Sequence, residues 1–194
     1  SFILSFFVIF KSSVAITLGL SLWLIVSIIH KTIKFFTNKS KFGSDKTYWS
    51  GQIAHLGIAV LSIGIIMNMT QSYSDEYEVK SEETVIFDNE KFYIGGIDIN
   101  DFDEKKVIAL NIQANNKLIT PAINIFKNSF QQGISTPGID RGIFSDTYIT
   151  IKSIEDSNLK LIFKKNMGIQ IIWIGMSIIA LSQIWKVMYG FNRK

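Results

Sequence analysis

Cysteine is absent from the 194 residues. That excludes disulfides, thiolate metal sites, iron–sulfur clusters and thiol nucleophiles on this chain. Histidine is nearly absent: only His30 and His55 are available for imidazole chemistry. Charge is missing over long stretches. Of 36 formal charges none falls in 12–29, 47–74 or 166–185, and 1–10 is uncharged as well. Uncharged apolar windows of this size match the roughly 17–25 residues needed to cross a bilayer as a helix, so a free-standing soluble globule is excluded. No basic segment or cleavage site precedes Phe2–Phe10, so that run does not read as a signal peptide. It reads as the end of an upstream span, and the chain as a piece of something longer. Glycine-rich phosphate loops, metal-spaced carboxylates and nucleophile–base pairs are missing too.

The charges that are present set a topology. Lys31, Lys34, Lys39, Lys41 and Lys46 are opposed only by Asp45, and Lys186, Arg193 and Lys194 by no acid. Short lysine-rich flanks mark the cytoplasmic side. Loop 30–48 and the tail 189–194 are therefore expected inside and domain 70–166 outside. The spans expected are 14–29, 49–69 and 168–188. The first is slightly short at 1.5 Å per residue, so Lys11 is placed to snorkel. Tyr48, Trp49, Trp185 and Tyr189 fall near the inner boundary, where amphipathic rings belong. The net basic charge follows from this topology and gives no reason to expect nucleic-acid binding.

The outer segment reads as β. Thr84–Phe87, Phe92–Ile94, Val107–Ile112, Leu118–Ile125, Tyr148–Ile154 and Leu159–Phe163 are short and rich in Ile, Val, Phe and Tyr. Turn-type clusters separate them, among them Asp88-Asn89, Gly95-Gly96 and Asn115-Asn116. The expected class is membrane α plus β: about three spans, with a small sandwich or partly open barrel between the last two.

His55 is the residue to which chemistry points. An ionisable group on a spanning helix is costly in hydrocarbon and by default marks a functional site facing the bundle interior. Gly51, Ala59 and Ser62 share its helical face and are small, leaving a slot beside the imidazole. The slot suits a closely packed helix or a flat macrocycle whose iron the ring nitrogen would ligate. An interhelical hydrogen bond is the plainer alternative. Gly57 and Gly64 lie on roughly the opposite side, so other helices are expected around this one. His30 reads as an interfacial residue ending the first span, where a basic group favours the helix dipole.

Outside, the loop Thr136–Tyr148 leads into a strand. Arg141 is one of two arginines beside eighteen lysines; its planar fork suits a partner contact or a loop-ordering ion pair with Asp140 or Asp146. Eleven acids and two lysines between Asp75 and Glu104 read as a solvated face or as a docking surface for a basic partner.

Three stretches together resemble the CcmF family, the cytochrome c-type biogenesis proteins of the system I haem lyase. Gly51–Val60, with Ala54-His55-Leu56-Gly57-Ile58-Ala59-Val60, resembles that family's AHLG(V/I)A(V/L) helix. Ile139, Gly142, Asp146 and Tyr148 match an external I–x–x–G–x–x–x–D–x–Y segment. Asn166–Gly175 is similar to NPxVxWIWxG at the start of the last helix, with Met167 in place of the proline and Ile171 in place of the first tryptophan. The family's tryptophan-rich external motif, its external histidines and most of its helices are not among these residues.

The resemblance implies a multi-pass protein of the bacterial inner membrane with 70–166 in the periplasm. It implies His55 as an axial ligand of haem b, with the second axial histidine on an upstream helix. The implied partners are a haem chaperone, other cytochrome c maturation subunits and apocytochrome c, whose thiols receive the haem. The implied work is covalent haem attachment, without catalysis by these 194 residues alone. The alternative is a membrane-anchored β-domain that recruits partners and binds no cofactor.

Overall fold

The computed structural model describes residues 2–38, 46–127, 133–155 and 158–191. Its elements run α1 (Phe2–Asn38), α2 (Lys46–Gln71), β1 (Tyr73–Lys80), β2 (Thr84–Phe87), β3 (Glu90–Asp101), β4 (Lys105–Ala114), β5 (Lys117–Ile119), β6 (Ala122–Phe126), β7 (Gly133–Thr136), β8 (Gly138–Arg141), β9 (Ser145–Glu155), β10 (Asn158–Met167) and α3 (Ile169–Phe191). Two compact units result: a helical one, Ser1–Gln71 with Met167–Lys194, and a sheet unit, Ser72–Asn166.

In the helical unit three helices are long and apolar enough to cross a membrane: Lys11–Thr37, Tyr48–Gln71 and Ile169–Met188. The burial pattern is the reverse of a water-soluble bundle. Ser21, Ser50 and Ser182 are buried while Trp23, Trp173 and Leu181 are exposed. Each buried hydroxyl needs a partner where no water reaches, and Ser21 donates to the Thr17 carbonyl (2.8 Å) and Ser182 to that of Ile179 (2.6 Å). Aromatic contact joins α1 to α2, with Phe35 and Trp49 edge-on at 5.3 Å.

The first span corrects the expectation. Segments 1–10 and 14–29 are one helix continuing to Asn38, because Lys11-Ser12-Ser13 holds neither Gly nor Pro and a lone lysine does not break a helix. His30 consequently lies inside α1, exposed and one turn or more from its end, and loses the dipole role given to it. Lys39, Lys41 and Asp45 of the expected inner loop, and Arg193 and Lys194 of the tail, lie outside the described residues.

In the sheet unit one sheet has the order β1-β10-β9-β8 and the other β2-β3-β4-β6-β7, with β5 also on β4. Both sheets close on one core that includes Phe87, Phe92, Ile94, Leu110, Ile112, Ile149, Leu161 and Phe163. Asp88-Asn89 and Asn115-Asn116 are the expected tight turns. All four residues have positive φ, between 47° and 62°, as a primed hairpin turn demands and as asparagine and aspartate tolerate. Gly95-Gly96 is not a turn. β3 runs through it with a bulge, both glycines facing Asn111 between the pairs Ile94↔Ile112 and Ile97↔Leu110. A side chain at Gly95 would stand 2.8 Å from the Asn111 carbonyl.

Phe163 is the centre of an aromatic cluster, with ring centroids 5.4 Å from Tyr77, 5.5 Å from Phe87 and 5.1 Å from Phe92. Phe163→Ala is expected to destabilise the sheet unit by about 3–5 kcal/mol through lost burial and the cavity left behind. Hydrogen exchange on the intact protein measures this, as faster exchange confined to the strands.

Candidate functional site

His55 lies in the first half of α2. Its Nδ1 is 2.7 Å from the carbonyl oxygen of Gly51, one turn earlier. If Nδ1 carries the proton and donates it there, Nε2 keeps its lone pair and points the ring's acceptor away from the backbone. The imidazole is exposed in the chain, and a Cβ built on Gly51 meets nothing within 4 Å. The space beside the ring is therefore real on the Gly51 side. On the other side it is closed, since Ala59 is 1% exposed. Ser62 lines, with Ser13, Val14, Thr17, Ile65, Ile66 and Met69, an open groove of about 210 Å³ between α1 and α2. Its hydroxyl donates to the Ile58 carbonyl at 2.9 Å. Of the three small residues expected to flank His55, Gly51 provides the opening, Ala59 is buried and Ser62 lines the groove between α1 and α2.

The opposite face of α2 is taken by α3. Cβ atoms built on Gly57 and Gly64 would meet Ile179 Cγ1 and the Ile172 backbone nitrogen, each at 2.7 Å; one on Gly175 would stand 2.5 Å from the Leu61 nitrogen. The two backbones thus approach as small residues allow in membrane helices. Gly168, at φ +74°, turns the chain into α3: its carbonyl accepts from Ile172 N–H at 3.1 Å. Asn68 Nδ2 donates to the Met167 carbonyl at 3.1 Å. Met167 in place of the family's proline is therefore accommodated, because the change of direction falls on Gly168. This close pairing fixes the rotation of α2 and leaves the His55 face free of α3.

The segment expected as a loop, Thr136–Tyr148, is largely a hairpin. β8 pairs antiparallel with the start of β9, setting Arg141 across from Asp146 and Ile139 across from Tyr148. β8 is not legible as a strand because two of its four residues are Gly and Asp, which β-propensity disfavours. Asp140 pairs with Lys117 at 2.7 Å, and that ammonium also reaches the Arg141 carbonyl at 3.3 Å. The Asp140 hydrogen bond holds the Lys117 pKa above its usual value. Its contribution to stability is thus present at neutral pH and is lost only as pH rises through that raised value. Asp146, in the pair that closes the turn, is buried, and Tyr148 is half-buried.

The acidic stretch is spread over β1, β3 and the turns that precede β2, β3 and β4, and is partly neutralised within the domain. Glu76 pairs with Lys152, Asp88 with Lys165 and Asp101 with Lys127. Among the described residues no group of three or more His, Cys, Asp or Glu is placed to hold a metal ion.

No family model and no curated protein matches the sequence. Among solved structures the fold matches that of a protein titled Cytochrome c Heme Lyase CcmF. The TM-score is 0.76 at 11% identity, over 89% of this chain and 30% of that one. The chain thus shares that protein's fold and spans under a third of its length. The resemblance first carried by three short motifs extends to the three-dimensional arrangement of nearly the whole sequence.

Proposed function

We propose that the chain is the C-terminal portion of a cytochrome c haem lyase, that it binds haem b within the bacterial inner membrane through His55, and that it takes part in attaching haem covalently to apocytochrome c. The observation that carries this reading is the imidazole at 55, with one nitrogen against the Gly51 carbonyl and open space where Gly51 lacks a side chain. A ring oriented by a backbone carbonyl is the usual arrangement of a metal-ligating histidine. The residues present fit one side of a haem. When bound, the haem would supply one-electron redox chemistry. His55 would hold the iron and Gly51 would orient the ring and admit the porphyrin edge. A further histidine ligand, the haem chaperone and the other maturation subunits would belong to the rest of the machine, with 70–166 in the periplasm.

In cells lacking the native protein, His55→Ala in the complete assembly is expected to abolish c-type cytochrome maturation at unchanged chain level. Normal maturation in that variant would favour the alternative, a cofactor-free β-domain that recruits partners. Gly51→Leu separates haem contact from helix packing. Its side chain enters open space, so chain level should hold while haem content falls about tenfold through the blocked slot; a pigment assay of the purified assembly measures both.

A further inference from the structure

The β8–β9 hairpin ends in Gly142-Ile143-Phe144, and these apolar tips are bare. Ile143 is 81% exposed and Phe144 64%, and Ile143 exceeds every large hydrophobic side chain of the spanning helices among the described residues. The tip is firmly built. Gly142 N–H donates to the Ser145 carbonyl at 2.9 Å, and a Cβ at Gly142 would stand 2.6 Å from that oxygen, so the turn needs glycine. Lys117 ties its root through Asp140 and the Arg141 carbonyl. A rigid turn holding two large apolar side chains in water has no stabilising role within the domain.

Strand register says which end of the sheet unit the tip occupies. β9 and β10 are hydrogen-bonded neighbours joined by two residues of sequence, hence antiparallel. β9 has 11 residues and β10 has 10, so Ser145 is level with the end of β10 at Met167. β1 begins at the same end, Tyr73 facing Lys165. This is the end at which the chain passes, within two residues on either side, into the apolar helices α2 and α3. Gly142–Phe144 close the hairpin next to Ser145, with the exposed Arg141 one residue behind them.

We propose that Ile143 and Phe144 are a membrane-interface anchor: the hairpin tip dips into the lipid headgroup–acyl boundary, and Arg141 meets lipid phosphate. Two apolar side chains with a cation behind them suit that boundary, where apolar groups bury a few ångströms deep and guanidinium finds bidentate acceptors. The partner is a bilayer surface, and the anchor restrains the sheet unit independently of haem.

The absence of cysteine makes the test clean. Ile143→Cys in the full chain, labelled with an environment-sensitive fluorophore, is reconstituted in phosphatidylcholine–phosphatidylglycerol nanodiscs. The control is Phe102→Cys, between β3 and β4, an exposed position at the far end of the strands. Quenching by a shallow acyl-chain nitroxide is expected to be about threefold greater at 143 than at 102, with protection from aqueous iodide at 143 only. Equal iodide access at both positions would overturn the proposal, and is what a tip meant for another protein subunit would show in lipid alone. Circular dichroism of both labelled proteins checks that the strands are intact.

Discussion

Gly175→Val separates α2 from α3. A side chain there would meet the Leu61 nitrogen, Cα and Cβ at 2.5, 2.7 and 2.8 Å, and two of those three atoms are backbone. No rotamer change relieves such a contact; the helices must move apart. Gly57 and Gly64 on the partner helix fit against Ile179 and Ile172, which flank Gly175 by about one turn each way. One displacement therefore loosens all three contacts. Overpacking typically costs 1–3 kcal/mol, and with backbone on both sides we expect about 3 kcal/mol or more. In lipid no hydrophobic driving force compensates for lost packing between helices. Steady-state abundance in membranes should drop sharply and thermal unfolding of purified protein should shift down. Gly19→Ala on α1, where a Cβ meets nothing within 4 Å, should leave both unchanged; equal losses would show that close packing is not the cause.

If His55 ligates haem as proposed, His55→Gly is expected to empty the assembled complex of b-type pigment, and added imidazole to restore it. Removing the ring takes away the one imidazole that α2 offers and frees space continuous with that at Gly51. A free imidazole fits such a hole, while a helix that has merely lost a hydrogen bond gains nothing from it. The expected loss of haem is at least about tenfold, with recovery rising with imidazole concentration. Loss without rescue, accompanied by reduced chain level, would assign His55 to helix packing instead.

Much of the helical unit was legible because the bilayer imposes a coarse rule: long stretches without charge. α2 and α3 follow from it to within a few residues. The rule is silent on where a helix stops beyond its apolar stretch, and α1 runs on to Asn38 past His30 and Lys31. Among strands, Thr84–Phe87 was legible residue for residue, and so were the turns at Asp88-Asn89 and Asn115-Asn116. Leu118–Ile125 reads as one strand but is two. β5 and β6 both pair with β4, while Pro121, which has no N–H to give, offers its carbonyl to Leu110 N–H at 2.9 Å. β1 was invisible because Asp75, Glu76 and Glu78 look like a solvated face. It is a strand because Tyr77 and Val79 turn inward and β10 brings Lys160, Lys164 and Lys165 alongside.

The candidate site divides the same way. An ionisable residue on an apolar helix, and small residues at helical spacing, are sequence properties. Whether a glycine faces a neighbouring backbone or empty space is decided by helix packing across more than a hundred residues of sequence, and no local pattern reports it. Gly51 and Gly175 therefore look alike on paper and differ in the fold.

The most direct test of the account is the reduced-minus-oxidised visible spectrum of the complete membrane assembly, recorded for wild type and His55→Ala at equal chain content. Wild type is expected to show a b-type α-band that is lost in the variant. A band of the same position and intensity in both would contradict it.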